Sequence, residues 1–160
     1  MMASPSVAHQ IFQAELLADF VIWLRGKTCK AIGSPMDVRL FPKKDKSDNI
    51  VVQPDLLVVC DQNKLGKNSI DGPPDLVIEI MSPSNINSEL FRKFHYYLKA
   101  GVREYWIIDL ESKKVSVHVY KDGHYIGTSY EDNDRIPVTI LPGMEISLEE
   151  LWARLPITNP

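Results

Sequence analysis

Cysteine is scarce in this chain: Cys29 and Cys60 are the only two in 160 residues. They lie in apolar surroundings without the close spacing of a zinc or iron–sulfur site, which excludes a cysteine-built metal centre, and they read as reduced core residues. Long apolar runs are missing too. No uninterrupted stretch approaches the roughly 18 residues of a membrane span. The start, Met1-Met2-Ala3-Ser4-Pro5, lacks the charged and apolar regions of a secretory signal. A cytoplasmic protein with no membrane partner is the expectation. Positive charge is not in excess either, with 18 Lys and Arg against 21 Asp and Glu and a formal net charge of −3. That balance excludes a uniformly basic nucleic-acid coat and leaves room only for a local basic groove. Repeats, low-complexity segments and linkers are absent. At 44% hydrophobic and 24% charged residues, the composition is that of one soluble globular domain over residues 1–160.

What is present is a series of short, well-punctuated elements. Ser6 is placed to cap a first helix running to about Lys27, with Gly26 as its stop signal. Apolar residues from Ile11 to Leu24 cover most of that helix, so burial on more than one side is expected, with Glu15 and Asp19 as a solvated strip. Met36 to Phe41 alternates like a strand and ends at Pro42. The polar loop Lys43-Lys44-Asp45-Lys46-Ser47-Asp48-Asn49 follows; its lysines suit either DNA phosphates or a solvated turn. A strand over Ile50 to Cys60, broken near Pro54, a turn-rich connection over Asp61 to Pro74, and a strand over Asp75 to Met81 complete a hairpin. Ser84 is placed to cap a second helix that Gly101 ends, and the strand Arg103 to Asp109 that follows should run parallel to an earlier one. Val115 to Tyr120 and His124 to Tyr130 flank Asp122-Gly123, a hairpin signal. A last strand is expected over Ile136 to Leu141. Ser147-Leu148-Glu149-Glu150 has capping-box spacing for a short terminal helix with Leu148, Leu151 and Trp152 on its apolar side.

Three residues break these patterns. Asp55 opens one apolar strand and Glu79 sits late in another, Leu76-Val77-Ile78-Glu79-Ile80. A hairpin brings the start of the first strand beside the end of the second, so the two carboxylates should be neighbours. Unpaired charges in such runs would each cost several kcal/mol, on the order estimated for buried ions, and a shared cation removes the penalty. Lys93 falls on the same helical stripe as Ile86, Leu90, Tyr97 and Ala100, while Arg92, His95 and Lys99 point the other way. A lysine on a buried face needs a negative partner. Two acids and an amine at one point suit metal-assisted phosphodiester hydrolysis: Asp55 and Glu79 hold a hard divalent ion, and Lys93 neutralises phosphoryl oxygens or orients water. Asp75 lies four residues before Glu79, about 13 Å away along a strand, and is expected near the turn, outside the triad.

In this order, the segments containing His9, Gln53-Pro54-Asp55-Leu56, Pro74-Asp75-Leu76-Val77-Ile78-Glu79-Ile80, Ser82-Pro83-Ser84, Lys93 ahead of Tyr97, Ala100-Gly101-Val102-Arg103-Glu104-Tyr105-Trp106-Ile107-Ile108-Asp109 and Leu141-Pro142-Gly143 resemble the Uma-two family of restriction-endonuclease-like proteins, within the PD-(D/E)XK nuclease superfamily. The resemblance covers nearly the whole chain. It implies an α/β (α+β) fold, a restriction-endonuclease-like mixed sheet flanked by helices, and a Mg²⁺- or Mn²⁺-dependent nuclease acting on DNA. Asp55 and Glu79 correspond to the superfamily's acids. Met81 stands where its lysine is expected, Lys93 replaces that lysine from the next helix, and the Ile80 carbonyl is a further metal ligand by analogy. His9 matches a family position and is read as an assisting, capping or core residue; Tyr97 and Asp109 are read as structural. Because the chain starts close to His9, the strand that family members carry before it is expected to be missing or short. A symmetric homodimer would suit two-strand cutting. The alternative function is a catalytically inactive module that keeps the fold to bind nucleic acid or a protein.

Overall fold

Ser6 caps the first helix by accepting a hydrogen bond from the His9 amide at 3.1 Å. The computed structural model describes residues 5–81 and 87–156. In chain order its elements are α1 (Val7–Leu24), β1 (Lys30–Gly33), β2 (Asp37–Arg39), β3 (Val51–Val52), β4 (Leu56–Val59), β5 (Ser69–Asp71), β6 (Leu76–Met81), α2 (Asn87–Ala100), β7 (Glu104–Asp109), β8 (Lys114–Lys121), β9 (His124–Glu131), β10 (Arg135–Pro137), β11 (Glu145–Ser147) and α3 (Leu148–Ala153). The Ser84 cap expected for α2 lies outside the described residues.

A six-stranded sheet in the order β1-β4-β6-β7-β8-β9 forms the centre. Only β6 and β7 are parallel within it, as expected from the helix between them. Strands β4 and β6 are buried almost throughout because both faces of the sheet are covered. Leu56, Val58, Ile78, Ile80 and Trp106 meet α1 and the C-terminal segment on one face. Leu57, Val59, Val77 and Tyr105 meet Tyr97 of α2 and the small sheet β3-β2-β5 on the other. Side chains alternate along a strand, so Asp55 and Glu79 face the α2 side.

Several expectations are corrected. Helix α1 ends at Leu24 and buries one face, through His9, Phe12, Gln13, Leu16, Phe20 and Leu24, while Val7 and Ile22 stay 71% and 62% exposed. It is long and apolar enough by composition to cross a membrane, yet its buried face lies on the sheet. The segment broken at Pro54 is two strands in two sheets: β3 pairs with β2, and β4 with β1 and β6. The connection after Asp61 contains β5, parallel to β2, whose single apolar residue, Ile70, left no alternation to read. Only the start of the expected last strand pairs, as β10 with β11. Cys29 and Cys60 are not reduced but joined by a disulfide. The antiparallel register Lys30↔Val59 places the next residues outward, 29 and 60, opposite each other with Cα atoms 4.0 Å apart.

Other expectations hold. Gly101, at φ +80°, ends α2 while the Val102 amide reaches back to the Tyr97 carbonyl at 3.0 Å. Asp122 and Gly123 both take positive φ in the β8–β9 turn. The Ser147 hydroxyl accepts from the Glu150 amide at the start of α3, and Trp152 stacks on Phe12 at 5.3 Å. Arg154 then ties α3 to α1 through Asp19 at 3.0 Å and Glu15 at 3.6 Å.

Candidate active site

The β4–β6 register pairs Leu56 with Ile78, which sets Asp55, one residue before, opposite Glu79, one residue after. The Asp55 Oδ2 atom accepts the Ile80 amide at 2.7 Å, closing the pair end to end. The Asp55 main chain is held separately: its carbonyl accepts from the Ser34 amide at 3.0 Å and from Gln13 Nε2 at 2.8 Å. Glu79 is 5% exposed, and its Oε1 accepts from the Tyr97 hydroxyl at 2.7 Å. The Lys93 ammonium lies 3.4 Å from the same oxygen and 3.9 Å from Glu89, one turn earlier on α2. The three residues singled out in the sequence therefore meet at one end of the sheet.

Asp75 is elsewhere, as expected: it accepts the Cys60 amide at 2.6 Å and pairs with Arg103 at 2.9 Å, so it fastens the hairpin. Asp109 accepts the amides of Glu111 and Ser112 and closes its turn. Tyr97, in contrast, packs and also grips the carboxylate. His9 belongs to the site: its Nε2 is 3.2 Å from the Ile80 carbonyl and 3.6 Å from Asp55 Oδ2, and its Nδ1 is buried without a partner among the described residues. Gln13, not singled out in the sequence, sits one turn further along α1. The signal was the one that exposed Lys93. His9 and Gln13 share a helical face with Leu16 and Phe20, and a polar residue on such a face needs a partner inside.

Burial pushes the Glu79 carboxyl up to about 7, Lys93 pulls against that shift, and Asp55 adds to it. The Asp55 carboxylate raises the His9 imidazole against the opposing effect of burial. Burial and the Glu79 charge hold the Tyr97 hydroxyl well above its ordinary value, so it stays a proton donor to the carboxylate.

This environment fits a hard divalent ion. Two carboxylates, Asp55 and the buried Glu79, stand opposite each other with a single ammonium against Glu79, and the donors at hand are oxygens: the Asp55 and Glu79 carboxylates and the Ile80 carbonyl. Among the described residues no group of three or more His, Cys, Asp and Glu side chains is gathered closely enough to hold a metal alone.

The chain resembles known proteins in sequence and in fold. The protein slr1290 of Synechocystis sp., itself uncharacterized, is 22% identical over 156 residues, covering 96% of this chain and 79% of the relative. A crystal structure described as "a putative nuclease belonging to DUF820" from Anabaena variabilis superimposes with a TM-score of 0.74 at 19% identity, over 95% of this chain and 84% of that one. The second likeness is one of fold. Residues 1–149 match the family described as "Uma2: Putative restriction endonuclease", and the chain belongs to that family.

Proposed function

We propose that this protein hydrolyses phosphodiester bonds in DNA as a Mg²⁺- or Mn²⁺-dependent endonuclease, with Asp55, Glu79 and the Ile80 carbonyl holding the ion. The observation that carries the reading is the place of Glu79, opposite Asp55 at the entrance to β4 and 3.4 Å from the Lys93 ammonium of α2. When bound, the ion supplies Lewis-acid polarisation of a phosphoryl oxygen and lowers the pKa of water. The protein's own groups do the rest. Tyr97 fixes the Glu79 carboxylate, while Gln13 and the Ser34 amide fix the Asp55 main chain. Lys93 brings a positive charge that balances charge developing on a phosphate, and His9 anchors the Ile80 carbonyl on the opposite side.

Cleavage of plasmid and branched DNA with Mg²⁺ or Mn²⁺ tests the reading. Asp55→Asn and Glu79→Gln should fall to background and Lys93→Met should lose about a hundredfold or more. Equal activity in all three variants refutes the assignment. Folded wild-type protein that binds neither ion by calorimetry identifies a non-catalytic module instead.

A further inference from the structure

The outer face of α2 and the loop after β2 carry positive charge that the site does not use. Arg92, His95 and Lys99 recur at helical spacing, all three exposed, on the side of α2 away from Glu79. From Arg92 to Lys99 the stripe runs about 10 Å along the helix axis. The Lys99 ammonium lies 5.8 Å from the ring of Phe41, two residues before Lys43, so the stripe leads into the loop that carries Lys43, Lys44 and Lys46.

That loop is built to present its lysines. Asp48 is spent on Arg39, whose Nε donates to it at 2.7 Å, and it also accepts the Lys43 amide at 3.2 Å. Asp45 accepts the amide and hydroxyl of Ser47 at 3.1 and 2.8 Å. Arg39 further donates to the Lys43 carbonyl at 3.0 Å. Both loop carboxylates thus fasten the loop, and the three lysines remain exposed. Among the described residues none of Lys43, Lys44, Lys46, Arg92 and Lys99 is in an ion pair. In a chain with 18 basic residues against 21 acidic ones, what sets these cations apart is that they are gathered along one path, a distribution that suits contact with a polyanion.

We infer that this path, from Arg92 beside the catalytic lysine along α2 to the Lys43–Lys46 loop, is a track for the phosphate backbone of DNA on one side of the cleavage site. The inference rests on the nucleic-acid substrate proposed above and adds where and how that substrate is held. The contacts are to phosphates, so binding is independent of base sequence and falls steeply with salt.

The test uses the full chain in EDTA, where cleavage plays no part, and fluorescence polarisation of labelled duplexes of unrelated sequence over a range of NaCl. Each phosphate contact contributes about 0.9 to the slope of log affinity against log salt. Lys43→Ala/Lys44→Ala/Lys46→Ala should reduce the slope by about 3 and Arg92→Ala/Lys99→Ala by about 2, equally for every duplex. Lys30→Ala/Lys114→Ala, on other parts of the sheet, should leave it unchanged. The substituted side chains are exposed, so circular dichroism melting should not move; should the triple variant unfold, the single charge reversal Lys44→Glu gives the same readout. Slopes unaffected by both track variants, or moved as much by the control pair, overturn the inference. So does binding to phosphatidylserine vesicles through these lysines with no binding to DNA. Glu79-dependent cleavage with an unchanged slope removes the track alone, whereas track-dependent binding without cleavage removes the nuclease reading alone.

Discussion

Glu79 is the residue on which the site's electrostatics turn. Its carboxyl has an ordinary value of 4.5 and is raised to about 7 in the fold, by burial first. Between those values the folded chain keeps a proton that the unfolded chain has released, so the metal-free protein loses stability as pH rises across the window. Denaturation in EDTA should show lower stability at about pH 8 than at about pH 5, and Glu79→Gln should shrink that difference by roughly 1–3 kcal/mol. His9, raised by Asp55, acts in the same sense, its contribution fading as pH climbs through its folded value. Metal binding runs the other way. An ion must displace the Glu79 proton, so calorimetric Mn²⁺ affinity should weaken as pH falls below about 7, and an affinity flat from pH 6 to 8 contradicts the linkage. Tyr97 is a positioning residue here. Tyr97→Phe removes the 2.7 Å hydrogen bond to Glu79 and should weaken Mn²⁺ binding about tenfold, as expected for a hydrogen bond to a charged group. A role in packing alone predicts unchanged affinity.

Two elements deliver the acids, and one pairing sets their distance. A slip of one residue between β4 and β6 would turn either Asp55 or Glu79 to the opposite face, so the register Leu56↔Ile78 is also the geometry of the site. This much was legible in the sequence, because apolar runs bounded by Pro54 and Asp75 define both strands and a charge inside such a run stands out. Lys93 was legible for the same reason on α2. His9 and Gln13 carried an equal signal on α1, masked by apolar residues spread over most of the helix's circumference; the exposure of Val7 and Ile22 shows that only one face is buried. The strand β1 was not legible, since Lys30–Gly33 has neither alternation nor a long apolar run. The cysteine pairing was lost with it, because only the β1–β4 register sets Cys29 against Cys60. That bond closes a separation of 31 residues. Reduction should lower stability by about 3–4 kcal/mol on the chain-entropy account, read as a fall in the urea midpoint with dithiothreitol. An unchanged midpoint would show that the β1 edge is held without it.

At the scale of the whole molecule, the sheet divides the labour. One face is filled by α1, α3 and the C-terminal segment and provides the core. The other carries α2 and the small sheet, and Glu79, Lys93, the tyrosine beside them and the basic path all lie on that side. His9 is the exception, reaching from α1 around the end of the sheet to the Ile80 carbonyl. Under the proposed function, an acidic chain serves an anionic substrate because the cations of that path share a face with Asp55, Glu79 and Lys93. The most direct test of the central claim is a crystal of the wild-type protein soaked in Mn²⁺ and measured at the manganese edge. An anomalous peak is expected between the Asp55 and Glu79 carboxylates, next to the Ile80 carbonyl, with the Lys93 ammonium close by. Density elsewhere, or none in a crystal diffracting well enough to show the carboxylates, contradicts it.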